Sequence, residues 1–168
     1  DSIPGIGDAV VGFRDGDNQE VYTLNADATT NVTALSGVYT GLIDMSYRSS
    51  EGGQWQVISG NASLNLDLTN GTAALDSIAS NDNDTFEVSG NATASGSPRS
   101  TDSLTVRHRD AGGNFVKDYT GSIDDGRIVT GANGPENSAV IGTISSGDAD
   151  GFTNGVFDTQ YSTQNNAP

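Results

Sequence analysis

The sequence predicts an all-β protein, an antiparallel up-and-down β-barrel or sandwich of about eight to eleven strands with an N-terminal β-hairpin arm. Three observations lead there. Apolar residues alternate with a period of two along most of the chain, and no window carries a convincing helical period. Clusters of Asp, Asn and Gly interrupt the alternation about every 8–12 residues, which is hairpin spacing. Glycines also stand inside the alternating segments, at 41, 60, 90, 121, 142 and 155, where a sheet can coil enough to close.

The first apolar strand is Ala9-Val10-Val11-Gly12-Phe13 within 9–14, with a hairpin partner over 19–24. Over 37–47, Tyr39, Gly41, Ile43, Met45 and Tyr47 form one face and Val38, Thr40, Leu42, Asp44 and Ser46 the other, the pattern of a half-buried strand. Strands follow at 54–59 and 62–68, the latter alternating Ala62, Leu64, Leu66 and Leu68 with Ser63, Asn65 and Asp67. Phe86, Val88, Gly90, Ala92 and Ala94 define another strand with one wet face. Further strands are expected at 103–109, 114–123, 127–130, 138–145 and 152–161. The turns between them are Asp15 to Asn18, Glu51 to Gly53, Asn70-Gly71, Asn81 to Asp84, Asp110 to Gly113, Asp124 to Gly126, Asn133 to Pro135 and Gly147 to Gly151. Such residues supply positive φ and local bonds from side chain to backbone. One contiguous core is expected from positions 39, 41, 43, 45, 47, 86, 88, 104, 106, 115, 119, 157 and 161. The chain thus divides into an arm (1–35), a barrel domain (36–161) and a C-terminal tail (162–168).

At 168 residues the chain is long enough for one domain with one core. Its 22 Asp and Glu against 7 Lys and Arg give a net charge of −15, which excludes nucleic acid, because nothing here could neutralise a row of phosphates. No apolar run approaches the roughly 18 residues a membrane-spanning helix needs. A start at Asp1 without Met, no Cys, a single lysine (Lys117) and a heavy load of Asn, Ser and Thr suit an exported chain. The expected location is extracellular or on the cell surface, with a signal peptide removed.

Little chemistry is on offer, since Met, Trp and His each occur once and Cys not at all. No enzyme is expected. Paired carboxylates for glycoside hydrolysis need a cleft with aromatic platforms, and the four Glu fall on outer faces or in loops. A Ser-His-Asp hydrolase would need His108 as its base and a Gly-x-Ser-x-Gly turn before a helix, and there is no helix. His108 ends a strand whose inner face is Leu104 and Val106. As a haem or metal ligand it would need Tyr39, Met45, Tyr47 or Tyr119 as a second ligand; a strand-end histidine bonded to its neighbours is the simpler expectation. Calcium is the one cofactor the acidic loops invite, through Asp15 and Asp17, Asp82 and Asp84, or Asp148 and Asp150. None completes a known calcium loop, so plain turns are expected. Five Asn-x-Ser/Thr sites stand at Asn31, Asn61, Asn70, Asn83 and Asn91.

The Gly-rich segments "SGVYTGLIDMSY" (36–47), "VSGNATASGS" (88–97), "DYTGSIDDGRIVTG" (118–131) and "AVIGTISSGDADGFTNGVFDTQ" (139–160) give the chain a recognisable texture. Over 36–161 it resembles the small barrel domains of transferrin-binding-protein-B-like surface lipoproteins. Gly155, Val156 and Phe157 stand where those domains close on a Gly-Phe segment, while the Gly-Pro-x-Ala-Glu type stretch that follows there is absent. The resemblance implies a β-barrel on a cell surface.

The chain is therefore read as a non-enzymatic structural or interaction module, a subunit of a cell-surface assembly or fibre serving adhesion or scaffolding. Natural sheets blunt their edges with lysine; with one lysine, self-association through strand edges is expected. The arm is the other expected route. Val10, Val11, Phe13, Val21 and Leu24 must be covered by a sheet or a neighbouring subunit, because an isolated hairpin is marginal in water. The alternative is a surface-exposed or secreted barrel that captures haem, a metal or a host protein.

Overall fold

A computed structural model describes residues 2–3, 7–8, 10–14, 20–24, 34–48, 55–93, 101–131, 134–148 and 151–166. Four short strands come first: β1 (Ser2–Ile3), β2 (Gly7–Asp8), β3 (Val10–Arg14) and β4 (Glu20–Leu24). Eight longer ones follow: β5 (Gly37–Arg48), β6 (Gln56–Asp67), β7 (Thr72–Ser80), β8 (Asp84–Thr93), β9 (Thr101–Asp110), β10 (Phe115–Gly131), β11 (Gly134–Asp148) and β12 (Gly151–Tyr161). β5 to β12 form one closed antiparallel barrel in which each strand pairs with the next and β12 returns to β5, with Phe157 opposite Ile43. The sandwich is thereby set aside.

Closure also corrects the expectation of free strand edges. Each barrel strand is hydrogen-bonded on both sides, so among the described residues only β1 to β4, in two-stranded sheets β1-β2 and β3-β4, keep an unpaired edge. Within the hairpin expected over 9–14 and 19–24, the described residues Val10–Arg14 and Glu20–Leu24 pair, with Val10 opposite Leu24 and Arg14 opposite Glu20.

Tight turns follow from their sequence. Gly71 and Gly113 take φ of 69° and 81°. The Asp67 carboxylate accepts the Asn70 backbone N–H at 3.0 Å, and that of Asp110 accepts those of Gly112 and Asn114 at 2.9 Å.

Three boundaries differ from expectation. The segments 54–59 and 62–68 are one strand, β6, with Gly60 inside it. The segments 114–123 and 127–130 are likewise one strand, and the expected turn at Asp124 to Gly126 is a bulge between Ile123 and Asp125. That extra residue shifts the buried parity from Tyr119, Gly121 and Ile123 to Ile128, so the period of two breaks without the strand ending. Strand β7 lies where the alternation predicts none. Its inner face is Ala73, Leu75, Ser77 and Ala79, while the larger Ile78 on the other face is 51% exposed.

The interior is filled by Tyr39, Ile43, Met45, Tyr47, Phe86, Val88, Leu104, Val106, Tyr119 and Phe157, all expected core positions and all buried. Phe115 departs furthest from the expectation, being 57% exposed. A register shift between Phe115 and Lys117 puts Lys117 opposite His108 and turns Phe115 out beside Arg109, with the Arg107 guanidinium 5.6 Å over its ring. Tyr161 is only partly buried and meets Tyr39 edge-on at 5.5 Å. The tail is tied down: Asn166 accepts the Val38 N–H through Oδ1 at 2.9 Å and donates through Nδ2 to the Val38 carbonyl at 2.8 Å.

Candidate functional site

Two clusters stand out against the pattern of polar outside and apolar inside. The first is a polar cluster at the end of the barrel where β5 finishes, β8 begins and β9 finishes. Asp84, Phe86 and Val88 share a parity, so the inward turn of β8 that buries Phe86 also carries the Asp84 carboxylate inward. Tyr47 reaches it from β5 and donates its hydroxyl to Asp84 Oδ2. His108, 7% exposed, reaches it from β9 and places Nε2 2.5 Å from Asp84 Oδ1. The imidazole stacks on Phe86, with centroids 4.6 Å apart and planes 8° from parallel. Asn81 Nδ2 donates to the Tyr47 hydroxyl at 3.1 Å, and Gln56 Oε1 lies 3.2 Å from it. Burial first, then the adjacent Asp84 carboxylate, pushes the Tyr47 phenol well above its ordinary value.

The arrangement satisfies itself. A carboxylate among aromatic rings would be costly alone, and here both its oxygens are engaged. Of the second ligands expected for His108, Tyr47 is close, with ring centroids 6.5 Å apart, while the Tyr39 hydroxyl is bonded to the Leu35 carbonyl at 2.7 Å. Among the described residues no group of three or more His, Cys, Asp or Glu could hold a metal ion. Of the calcium candidates, Asp82 is exposed in its loop and Asp84 faces the cluster. Asp15, Asp17 and Asp150 lie outside the described residues, as does the side chain of Asp148. EDTA is expected to move the melting temperature by no more than about 2 °C; a fall of about 10 °C would reveal a structural calcium site.

The second cluster is on the outside. Ile141, opposite Arg127 and Asp158, and Val156, opposite Asp44, share the outer face with Ala139 and Val129, yet Ile141 is 0% and Val156 2% exposed. Strand β4 lies against β12 and β11. The backbone of the arm's expected contact residues Val10, Val11, Phe13, Val21 and Leu24 thus lies in the β3-β4 hairpin, while their side chains fall outside the described residues. The hint of an outer apolar stripe in the sequence is that Ile128-Val129, Ala139-Val140-Ile141 and Val156-Phe157 read without alternation.

Asp158 sits in the same stripe. Burial, reinforced by the negative charge of Asp44, raises its carboxyl from 3.8 to about 6. The fold therefore holds this proton more tightly than the unfolded chain, so the stability it contributes is full below pH 3.8 and is lost as pH rises through about 6. Asp158→Asn is expected to add about 1 kcal/mol at neutral pH, after allowance for solvent screening of a half-buried group. Thermal melts of the two proteins across this range check it: the gap should close at acid pH.

Comparisons with protein-family models and with curated proteins give no match. Neither finding bears on the resemblance to transferrin-binding-protein-B-like lipoproteins.

Proposed function

We propose that this chain is a non-enzymatic interaction module, exposed on a cell surface or secreted, that self-associates through its N-terminal arm. One observation carries the reading: the outer face of β11 and β12 holds a buried apolar stripe of Ala139, Ile141 and Val156 beside β4. A barrel core has no use for a second apolar layer outside its wall; an arm does. Because the seat and the arm belong to every copy, one chain's hairpin can occupy the next chain's stripe, and head-to-tail repetition of that exchange builds a fibre. Barrel closure supports the arm over the strand edges as the contact, since the edges of β5 to β12 are used up. The exposed positions of Asn61, Asn70, Asn83 and Asn91 suit a glycosylated surface protein.

Size-exclusion chromatography with light scattering over a range of concentrations tests the reading. The full chain should form multimers that grow with concentration, and deletion of residues 1–24 should leave a folded monomer. A full chain that stays monomeric, or a truncated one that still associates or that unfolds, ends it.

A further inference from the structure

At the same end of the barrel as the Tyr47 cluster, a groove of about 680 Å³ opens where β10, β11 and β12 meet the last residue of β5 and the residue ahead of β6. Its size lies within the ligand-cleft range of about 300–1,000 Å³. Its lining is unusual for this chain. Thr120, Ser122, Ser145, Ser146 and Thr153 supply five hydroxyls, and no Asp or Glu is among the described lining residues, although the chain has 22 of them. The register sets the hydroxyls in two pairs on opposite faces of the wall: Ser122 stands opposite Ser145 on the outer face, and Ser146 opposite Thr153 on the inner one. Trp55, the one tryptophan of the chain, forms a wall, with the Arg48 guanidinium 5.1 Å from its ring centroid.

We infer that this groove binds a neutral saccharide, its pyranose ring laid on Trp55 and its hydroxyls on Thr120, Ser122 and Ser145. Ser122 spends its hydrogen on Asp124, and Ser146 and Thr153 bond one another, so Thr120 and Ser145 supply both donor and acceptor while Ser122 keeps an acceptor, a mixture that matches a polyol better than an ion. The indole offers a flat apolar face of negative quadrupole, on which the polarised C–H face of a pyranose can rest. Asn154 adds a second sign of an incomplete site. It lines the groove, and its Oδ1 is buried without a hydrogen-bond partner; rotation of the amide toward the groove would give that acceptor a sugar hydroxyl. A peptide fits less well, since it would need apolar pockets or a free strand edge, and these strands are paired on both sides. An anionic sugar would have to approach a chain of net charge −15. The inference is independent of the arm and its seat.

Trp55 makes the test direct, because its fluorescence reports on this groove alone. The probes are the methyl glycosides of glucose, galactose, mannose and N-acetylglucosamine, with methyl glucuronide as the charged comparison. At least one neutral glycoside should change Trp55 emission in a saturable way in the millimolar range. Ser145→Leu, which fills the groove and keeps the fluorophore, should weaken that binding by about tenfold or more. Trp55→Ala, followed by saturation-transfer NMR with its fold checked by circular dichroism, should abolish it. Emission unchanged by all four neutral glycosides overturns the inference, as does undiminished binding by a folded Trp55→Ala protein. Tighter binding of the glucuronide than of the glucoside overturns it as well.

Discussion

Replacing Gly60 by alanine is expected to cost about 3 kcal/mol of stability, or roughly 10 °C in melting temperature. A Cβ at this position would stand 1.8 Å from the Ile78 carbonyl oxygen and 2.8 Å from the Ala79 Cα, so β6 and β7 would have to separate. Gly41 is held the same way, with the Asp158 carbonyl oxygen 1.8 Å from its missing Cβ, and Gly41→Ala should match the effect at the β5-β12 seam that closes the barrel. The obstacle is backbone on a neighbouring strand, which cannot swing aside as a side chain can. Gly126→Ala is the control: its Cβ would meet only Ile123 Cγ2, at 3.4 Å, and should change stability by less than about 0.5 kcal/mol. Denaturant melts of the three variants decide the matter. Gly60→Ala with the stability of the parent would show that the strands do not approach this closely.

Asp84→Ala is expected to cost about 2–4 kcal/mol, because it leaves His108 Nε2 and the Tyr47 hydroxyl without their shared acceptor in a largely buried site. Tyr47→Phe removes one arm of the cluster and keeps the ring packed 4.7 Å from Phe86, so it should cost only about 1 kcal/mol. A double-mutant cycle between positions 84 and 108, read by chemical denaturation, should give a coupling of about 1 kcal/mol or more. Coupling near zero would mean that water replaces the carboxylate freely and that the cluster holds nothing together.

Much of this architecture is legible in the chain. Period-two alternation over 37–47 and 103–109 names the inward residues Tyr39 to Tyr47, Leu104 and Val106, because one buried face fixes every second side chain. Turn chemistry at Asn70-Gly71 and Asp110 to Gly113 sets where strands end, because those residues adopt the required φ and bond their own backbone. Where the local signal fails, the cause is specific. In β7 the inward positions include small Ala73, Ser77 and Ala79 while the larger Ile78 faces outward, so the apolar contrast that would reveal a strand is weak.

By itself, then, the sequence determined the all-β class and most of the core, because alternation and turns are local properties of neighbouring residues. Only the tertiary structure decided that eight strands close without an edge, because closure depends on stagger and coiling summed around the whole sheet. It also decided that β10 crosses Asp124 as a bulge and that Phe115 turns outward, since both depend on which partner residue stands opposite. The meeting of Tyr47, Asp84 and His108 is of the same kind. These residues lie 24 and 37 positions apart along the chain, and only the pairing of three strands brings them to one end of the barrel.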